Sequence, residues 1–497
     1  MADLDVDNAA SLLIDQALAE GLAGRAAIAT PERAYTYGEL AVLSDRVAHG
    51  LRRLGIEPER RVALLMADGV GFAATFLGAL KLGAVAVPLN TRLAAQDCRA
   101  ILEDCRAKIV VADPEMALSL GPVNGAAVVE FEALVRDAPT RAFAAEPVGR
   151  DAMALFLYTS GTTGIPKAAV HCHRTLCNGH HYAKDVLDIG PEDRVFATSK
   201  LFFAYALGNA LALSLLARGS CFLHPAWAEA PVVLDVLRAY RPTIYFSVPT
   251  VYARLLRANL PPDAFRSVRL CVSAGERLPA EVYHGWRERF GVEILDGIGA
   301  TETVFIFVSN HAGRSRAGST GTVVEGSEVK LLDDAGQPVP DGTQGILWAK
   351  TPSTAAGYWQ RIDHSRRTFV GEWFRTGDIY VRAADGFYTH CGREDDFFKV
   401  AGQWVVPADV EAALMAHPAV LEAGVVGAGE ASGLVKAFVF VVPRDDKVET
   451  AALKAELMRH AEQVLPSHQR PREIRIVQEL PRTATGKLQR FKLRDQV

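Results

Sequence analysis

The feature that most constrains the fold is an alternation, running from residue 25 to about residue 390, of short apolar runs with longer amphipathic stretches. Arg61-Val62-Ala63-Leu64-Leu65-Met66 is followed by a helical pattern from Gly71 and then by Ala84-Val85-Ala86-Val87-Pro88. Strand, helix, strand is the grammar of a parallel sheet, because parallel neighbours need a crossover long enough to hold a helix. It recurs at Arg194–Thr198, Thr243–Val248 and Ser267–Val272. Two layered α/β subdomains follow from it.

Between Gly318 and Ile379 the pattern changes to short alternating strands with turn residues, as in Glu328-Val329-Lys330-Leu331-Leu332 before Asp333-Asp334-Ala335-Gly336. A small β subdomain is expected there. After the charged turn Gly392-Arg393-Glu394-Asp395-Asp396 the chain restarts with Phe397–Val400, a helix over Pro407–His417, and strands at Glu422–Val426 and Leu434–Val442. The sequence therefore predicts an α/β chain. Residues 1–394 form a large N-terminal region of two α/β subdomains plus the β subdomain, and residues 395–497 a smaller, mobile α+β C-terminal domain.

Composition narrows the function classes. Lys+Arg 54 against Asp+Glu 58 gives a net charge of −4, a balance that offers no basic footprint for nucleic acid. Met1–Glu20 reads as an acidic amphipathic helix without the basic start of a signal peptide, and the most apolar window, Gly71–Leu89, carries Lys81 and ends at Val87-Pro88. That window reads as a buried helix and strand, so no membrane partner is expected. The seven cysteines show no CxxC spacing, which points to reduced thiols and a cytoplasmic location. His171, Cys172, His173, Cys177, His180 and His181 are crowded together, but their spacing matches no zinc pattern. They are read as residues of an ordinary helix.

The strongest local signal is Leu157-Tyr158-Thr159-Ser160-Gly161-Thr162-Thr163-Gly164-Ile165-Pro166-Lys167, placed after the apolar run Ala152–Leu157. Hydroxyls and glycines on such a loop offer O–H and N–H donors to phosphate oxygens and allow close backbone approach. The run lacks the Gly-Lys-Ser/Thr ending of a Walker loop. A plain exposed turn is the bland alternative, and the length of the run speaks against it.

With this loop the sequence resembles the acyl-adenylate-forming superfamily: acyl- and aryl-CoA synthetases, peptide-synthetase adenylation domains and beetle luciferases. The resemblance covers essentially the whole chain and is closest to the benzoate-CoA ligases. It implies that Thr159, Ser160, Gly161, Thr162, Thr163, Gly164 and Lys167 cradle ATP phosphates. The position after Lys167, usually glycine, is Ala168 here. Gly297-Ile298-Gly299-Ala300-Thr301-Glu302, after Asp296, is similar to the segment in which Thr and Glu meet phosphate and Mg²⁺. A hard cation wanting oxygen ligands suits Glu302 as metal ligand. Ser273–Arg277 resembles the segment passing along adenine, which brings in Gly275 and Glu276.

Trp373–Asp378 resembles the segment whose Asp378 binds the ribose hydroxyls, a task a carboxylate suits because it accepts two hydrogen bonds. Gly392–Asp396 is similar to the hinge, with Arg393 reaching ribose or phosphate and Asp395 as pivot. Pro481–Leu488 resembles the loop whose Lys487 bridges the acid and the α-phosphate, stabilising charge as carboxylate oxygen attacks phosphorus. Val400–Trp404 is similar to the segment lining the thiol channel, bringing in Lys399, Gly402, Gln403 and Trp404.

The implied reaction is ATP-dependent: carboxylate and ATP give acyl-adenylate and pyrophosphate, and coenzyme A then takes the acyl group and releases AMP. Lys487 serves the first half and the Lys399–Trp404 face the second, through rotation about the hinge. Phe203, Ala204, Tyr205, Gly299, Phe305 and Ile306 resemble the acid slot of benzoate-CoA ligases, where flat and small residues suit one ring. Ala206 stands where that group often has glycine, and Phe305 where histidine is expected, which leaves hydroxy- and amino-substituted benzoates open beside benzoate itself. A stand-alone adenylation enzyme loading a carrier protein, and a nucleotide-binding regulatory protein without catalysis, remain as alternatives. Monomer and homodimer are both open.

Overall fold

The computed structural model describes residues 7–159, 166–258, 260–400, 403–429, 435–445, 450–482 and 488–497. They divide into two compact units, one of residues 1–329 with 349–375 and the other of residues 330–348 with 376–497.

The first unit holds the two expected α/β layers. One sheet has nine strands in the order Thr322–Val323, Ile306–Ser309, Ile294–Gly299, Leu270–Ser273, Ile244–Ser247, Arg194–Ala197, Ser220–Phe222, Ala26–Ala29, Ala34–Thr36. From Ile294–Gly299 to Ala26–Ala29 its neighbours are parallel. The second sheet has seven strands in the order Gly357–Tyr358, Lys167–Cys172, Met153–Thr159, Val85–Pro88, Arg61–Leu65, Ile109–Ala112, Ala127–Glu130. Its central strands are buried at every position, as strands covered on both faces must be.

Two helices, Tyr37–Arg53 and Val70–Lys81, pack on one another in the core that serves both sheets. The first begins with a reciprocal cap between Thr36 and Glu39. The second is the apolar window that carries Lys81. That ammonium is almost fully buried, 2.7 Å from Asp15 and 2.6 Å from Asp45, and ties the N-terminal segment to both helices. Among the described residues no helix is long and apolar enough to cross a membrane. Among the described residues the N-terminal helix starts at Ala9, after Asn8, and continues as a π-turn over Ser11–Asp15 and an α-turn over Gln16–Ala19.

The second unit holds most of a five-stranded sheet of short strands, in which Asp378–Arg382 runs antiparallel to Tyr388–Arg393. Beyond it the hairpin Phe398–Val400/Gln403–Val405 and the sheet Val420–Gly429, Val435–Pro443, Pro471–Ile476 pack with helices Pro407–Met415 and Thr450–Val464 around Val405, Val410, Leu414, Val425, Val439 and Leu457.

Candidate active site

The hydroxyl- and glycine-rich loop joins two antiparallel strands, Met153–Thr159 and Lys167–Cys172, whose last pair is Thr159 with Lys167. Ser160, Gly161, Thr162, Thr163 and Gly164 lie outside the described residues, so the site is built from the two feet of the loop. Ala168 sits buried in the extended second strand, a conformation that needs no glycine. That strand pairs on its other side with Gly357–Tyr358, Tyr358 opposite Ala169. The pairing sets the Lys167 ammonium 5.0 Å from the centre of the Tyr358 ring.

Thr301 and Glu302 follow the strand Ile294–Gly299. Gly299 is required there, because a side chain would stand 2.8 Å from the Phe305 carbonyl as the chain returns. The return is tight enough to force Val304 to a φ of 61°, a costly conformation for a β-branched residue. Three contacts hold the turn. The Ala355 N–H donates to the Glu302 carbonyl at 2.7 Å, the Ser353 hydroxyl to the Thr303 carbonyl at 2.7 Å, and His171 Nε2 to the Thr301 carbonyl at 2.8 Å.

The Glu302 carboxylate is half-buried, and its Oε1 accepts a 2.6 Å hydrogen bond from the Tyr358 hydroxyl. Lys167 and Glu302 therefore meet on one side chain. Among the described residues no group of three or more His, Cys, Asp or Glu could cage a metal. A cation at Glu302 would need phosphate and water oxygens for its other positions, which is the coordination Mg²⁺ adopts beside nucleotides. The donor set fits that ion.

His171 and Cys172 end a strand rather than lying on a helix, contrary to the sequence expectation. Nearly every residue of Lys167–Cys172 is buried, so the strand has no alternation to reveal it. Burial pushes the His171 imidazole down to about 4, keeping it neutral as it donates to Thr301. His173 is likewise pushed down to about 4, with Nδ1 accepting from the Ala9 N–H at 3.0 Å.

Asp296 is buried, its carboxyl raised well above the ordinary range by desolvation, and its carbonyl accepts from the Asn310 N–H at 2.9 Å. Gly297 lies against the returning strand and Ile298 is half-buried, while Gly275, at φ 94°, and Glu276 turn the chain at the end of Leu270–Ser273.

Phe203 is half-buried and precedes the short helix Ala204–Ala206. The Tyr205 hydroxyl is engaged, donating to the carbonyls of Ser247 at 3.1 Å and Val272 at 3.2 Å, so this residue offers its ring rather than its oxygen. Phe305 and Ile306 are buried. The sequence reading missed what makes room for Phe305. A side chain on Gly179 would stand 2.6 Å from the Phe305 ring, and one on Gly208 would stand 2.5 Å from Val304. No local pattern marks Gly179, while Gly208 lies in the Lys200–Asn209 segment that resembles the acid pocket.

In the second unit, Asp378 is paired in register with Arg393. Arg393 Nη1 donates to Asp378 Oδ2 at 3.0 Å and to the Thr376 carbonyl at 2.8 Å, while His390 Nε2 lies 3.3 Å from Asp378 Oδ1. His390 was not anticipated. The Asp395 carbonyl accepts from Arg494 at 3.0 Å, and Asp396 pairs with Arg490, which also grips Glu411 at 2.7 and 2.9 Å. The Lys399 ammonium sits 4.4 Å from the ring centre of Trp404, which is 49% exposed beside exposed Gln403. Gly402 and Lys487 lie outside the described residues.

Comparison with known proteins identifies the family of the chain. The family model for AMP-binding enzymes matches residues 15–359, and that for the AMP-binding enzyme C-terminal domain matches residues 409–487. A 4-hydroxybenzoate–CoA/benzoate–CoA ligase of Rhodopseudomonas palustris is 42% identical, the match covering 98% of this chain and 94% of that one. The crystal structure of a benzoate CoA ligase from Burkholderia xenovorans superposes with a TM-score of 0.90 at 41% identity, over 98% of this chain and 99% of that one. An anthranilate CoA ligase in complex with anthranoyl-AMP superposes with a TM-score of 0.92 at 38% identity, over 99% of this chain and 97% of that one. With both family models matched in order and full-length relatives at this identity, the chain belongs to the AMP-binding enzyme family.

Proposed function

We propose that the protein is an ATP-dependent aryl-CoA ligase that activates a benzoate-like acid as its acyl-adenylate and transfers the acyl group to coenzyme A. The observation that carries the reading is the meeting of Lys167, at the foot of the phosphate loop, with Glu302 on the side chain of Tyr358. A cation-holding carboxylate and a phosphate-facing ammonium on one support suit a triphosphate substrate.

In this reading Thr159, Lys167 and the loop between them grip the phosphates, and Thr301 adds a hydroxyl. Glu302 would hold Mg²⁺, which would supply positive charge to offset that of the phosphates. Asp378 accepts from the ribose hydroxyls, with Arg393 and His390 orienting its two oxygens. Lys487 stabilises charge at the α-phosphate as the acid's carboxylate attacks. Residues 395–497 rotate about Asp395 between the half-reactions, and the face of Lys399, Gly402, Gln403 and Trp404 guides the thiol in the second. All seven cysteines are free thiols, in keeping with a reducing, cytoplasmic setting.

Phe203, Ala204, the Tyr205 ring, Gly299, Phe305 and Ile306 form the acid slot. Relatives named as benzoate, hydroxybenzoate and anthranilate CoA ligases support an aromatic acid. The test is CoA consumption and pyrophosphate release with ATP and benzoate, hydroxybenzoates, 2-aminobenzoate or a medium-chain fatty acid. Both signals with an aromatic acid are expected. Pyrophosphate without CoA loss would redirect the assignment to carrier-protein loading, and silence in both would refute catalysis.

A further inference from the structure

We infer that Tyr358 is the positioning residue that sets the cation-holding carboxylate of Glu302 in register with Lys167, an inference that rests on the phosphate and cation roles proposed above for those two residues. Tyr358 lies 56 residues from Glu302 in sequence, yet its hydroxyl donates to Oε1 at 2.6 Å. A single donor on Oε1 fixes the plane of the carboxylate and leaves Oε2 to face a cation. The same residue's ring carries the Lys167 ammonium at 5.0 Å.

The segment around Tyr358 is built as a strap between the two halves of the site. Toward the turn, the Ala355 N–H reaches the Glu302 carbonyl and the Ser353 hydroxyl the Thr303 carbonyl, both at 2.7 Å. Toward the loop, the Ala356 N–H reaches the Val170 carbonyl at 2.8 Å and the Trp359 N–H the Ala168 carbonyl at 2.9 Å. Tyr358 is itself anchored, its N–H donating to the Ser365 hydroxyl at 2.9 Å. Backbone bonds alone would join the turn to the loop. Among the described residues the tyrosine side chain is the one that touches both functional groups, so its removal uncouples them without cutting the strap.

The experiment follows binding of Mn²⁺ in the presence of ATP, through the EPR signal of free Mn²⁺, for the wild type, Tyr358→Phe, Glu302→Gln and the double variant. AMP binding without metal and the urea midpoint are measured alongside. Tyr358→Phe keeps the ring and loses one hydrogen bond to a charged group, so Mn²⁺ uptake is expected to weaken about tenfold. Metal-free AMP binding and the urea midpoint stay near wild type, and the phenylalanine has no further effect in the Glu302→Gln background. Tyr358→Leu also removes the ring, and metal-free ATP binding is expected to fall a further few-fold as Lys167 loses its seat.

Unchanged Mn²⁺ uptake by Tyr358→Phe, beside a loss in Glu302→Gln, would overturn the inference while leaving the role of Glu302 intact. Additive losses in the double variant would also overturn it. Equal metal-free ATP binding by the Phe and Leu variants would overturn the Lys167 half. Wild-type Mn²⁺ uptake by Glu302→Gln would instead refute the cation role on which the inference stands.

Discussion

The buried histidine behind Thr301 ties stability to pH in a way that can be worked out in advance. His171 and His173 both titrate at 6.5 when free and at about 4 in the folded protein, because burial penalises the imidazolium. A depressed folded value means that the unfolded chain binds the extra proton first. The stabilisation is therefore complete above about pH 6.5 and is lost as pH falls toward about 4. At about pH 5 each imidazole favours the unfolded state by about 2 kcal/mol, and the pair by about 4 kcal/mol, relative to about pH 7.5. His171→Gln keeps an N–H that can reach the Thr301 carbonyl and removes one titration. Its cost at about pH 7.5 is expected to be about 1 kcal/mol, while its further loss on acidification is about 2 kcal/mol smaller than that of the wild type. Urea unfolding at the two pH values measures both numbers. Equal losses in the two proteins would refute the claim that burial holds His171 neutral.

Three further outcomes follow from other parts of the molecule. Lys81→Met strands the carboxylates of Asp15 and Asp45 around a buried site, and thermal unfolding should show a loss of about 3–5 kcal/mol without a change in substrate preference. Gly208→Ala drives a methyl against Val304 beneath Phe305; steady-state kinetics should show a higher KM for the acid with the KM for ATP held, at a stability cost of about 1–3 kcal/mol. His390→Leu frees one oxygen of Asp378 from its orienting partner, so the KM for ATP should rise by a factor of about three to ten with kcat nearly unchanged; an unaltered KM would show that His390 plays no part in ribose binding.

Much of the fold was legible because its local chemistry agrees with its tertiary role. Arg61–Leu65, Val85–Pro88 and Ile244–Ser247 are short apolar runs between turn residues, and they are strands buried at every position. The loop between Thr159 and Lys167 stands out in the sequence through a density of glycine and hydroxyl residues that ordinary packing does not need. Where reading failed, the cause was distance or loss of contrast. Lys167–Cys172 shows no alternation, so its histidine passed for a helical one. Tyr358 reads as one aromatic among twelve tyrosines until the Gly357–Tyr358 strand adds to the sheet beside Lys167.

The turn after Glu302 joins these two lessons. Its glycines and its Thr-Glu pair stand out in the sequence, but the strain that shapes it falls on Val304, a residue whose type argues against a φ of 61°. Such a conformation persists only where the surroundings over-determine it. Here they do so through Ser353 and Ala355, some fifty residues on, and through His171, 130 residues back. The chemical groups of the site are thus encoded locally, while their placement is encoded by residues that carry no chemical signature of their own. A substitution at Ser353 or His171 would leave every motif intact and still move Thr301 and Glu302. For that reason the supporting residues, rather than the motif residues, decide whether a chain with the right pattern holds Thr301 and Glu302 in place.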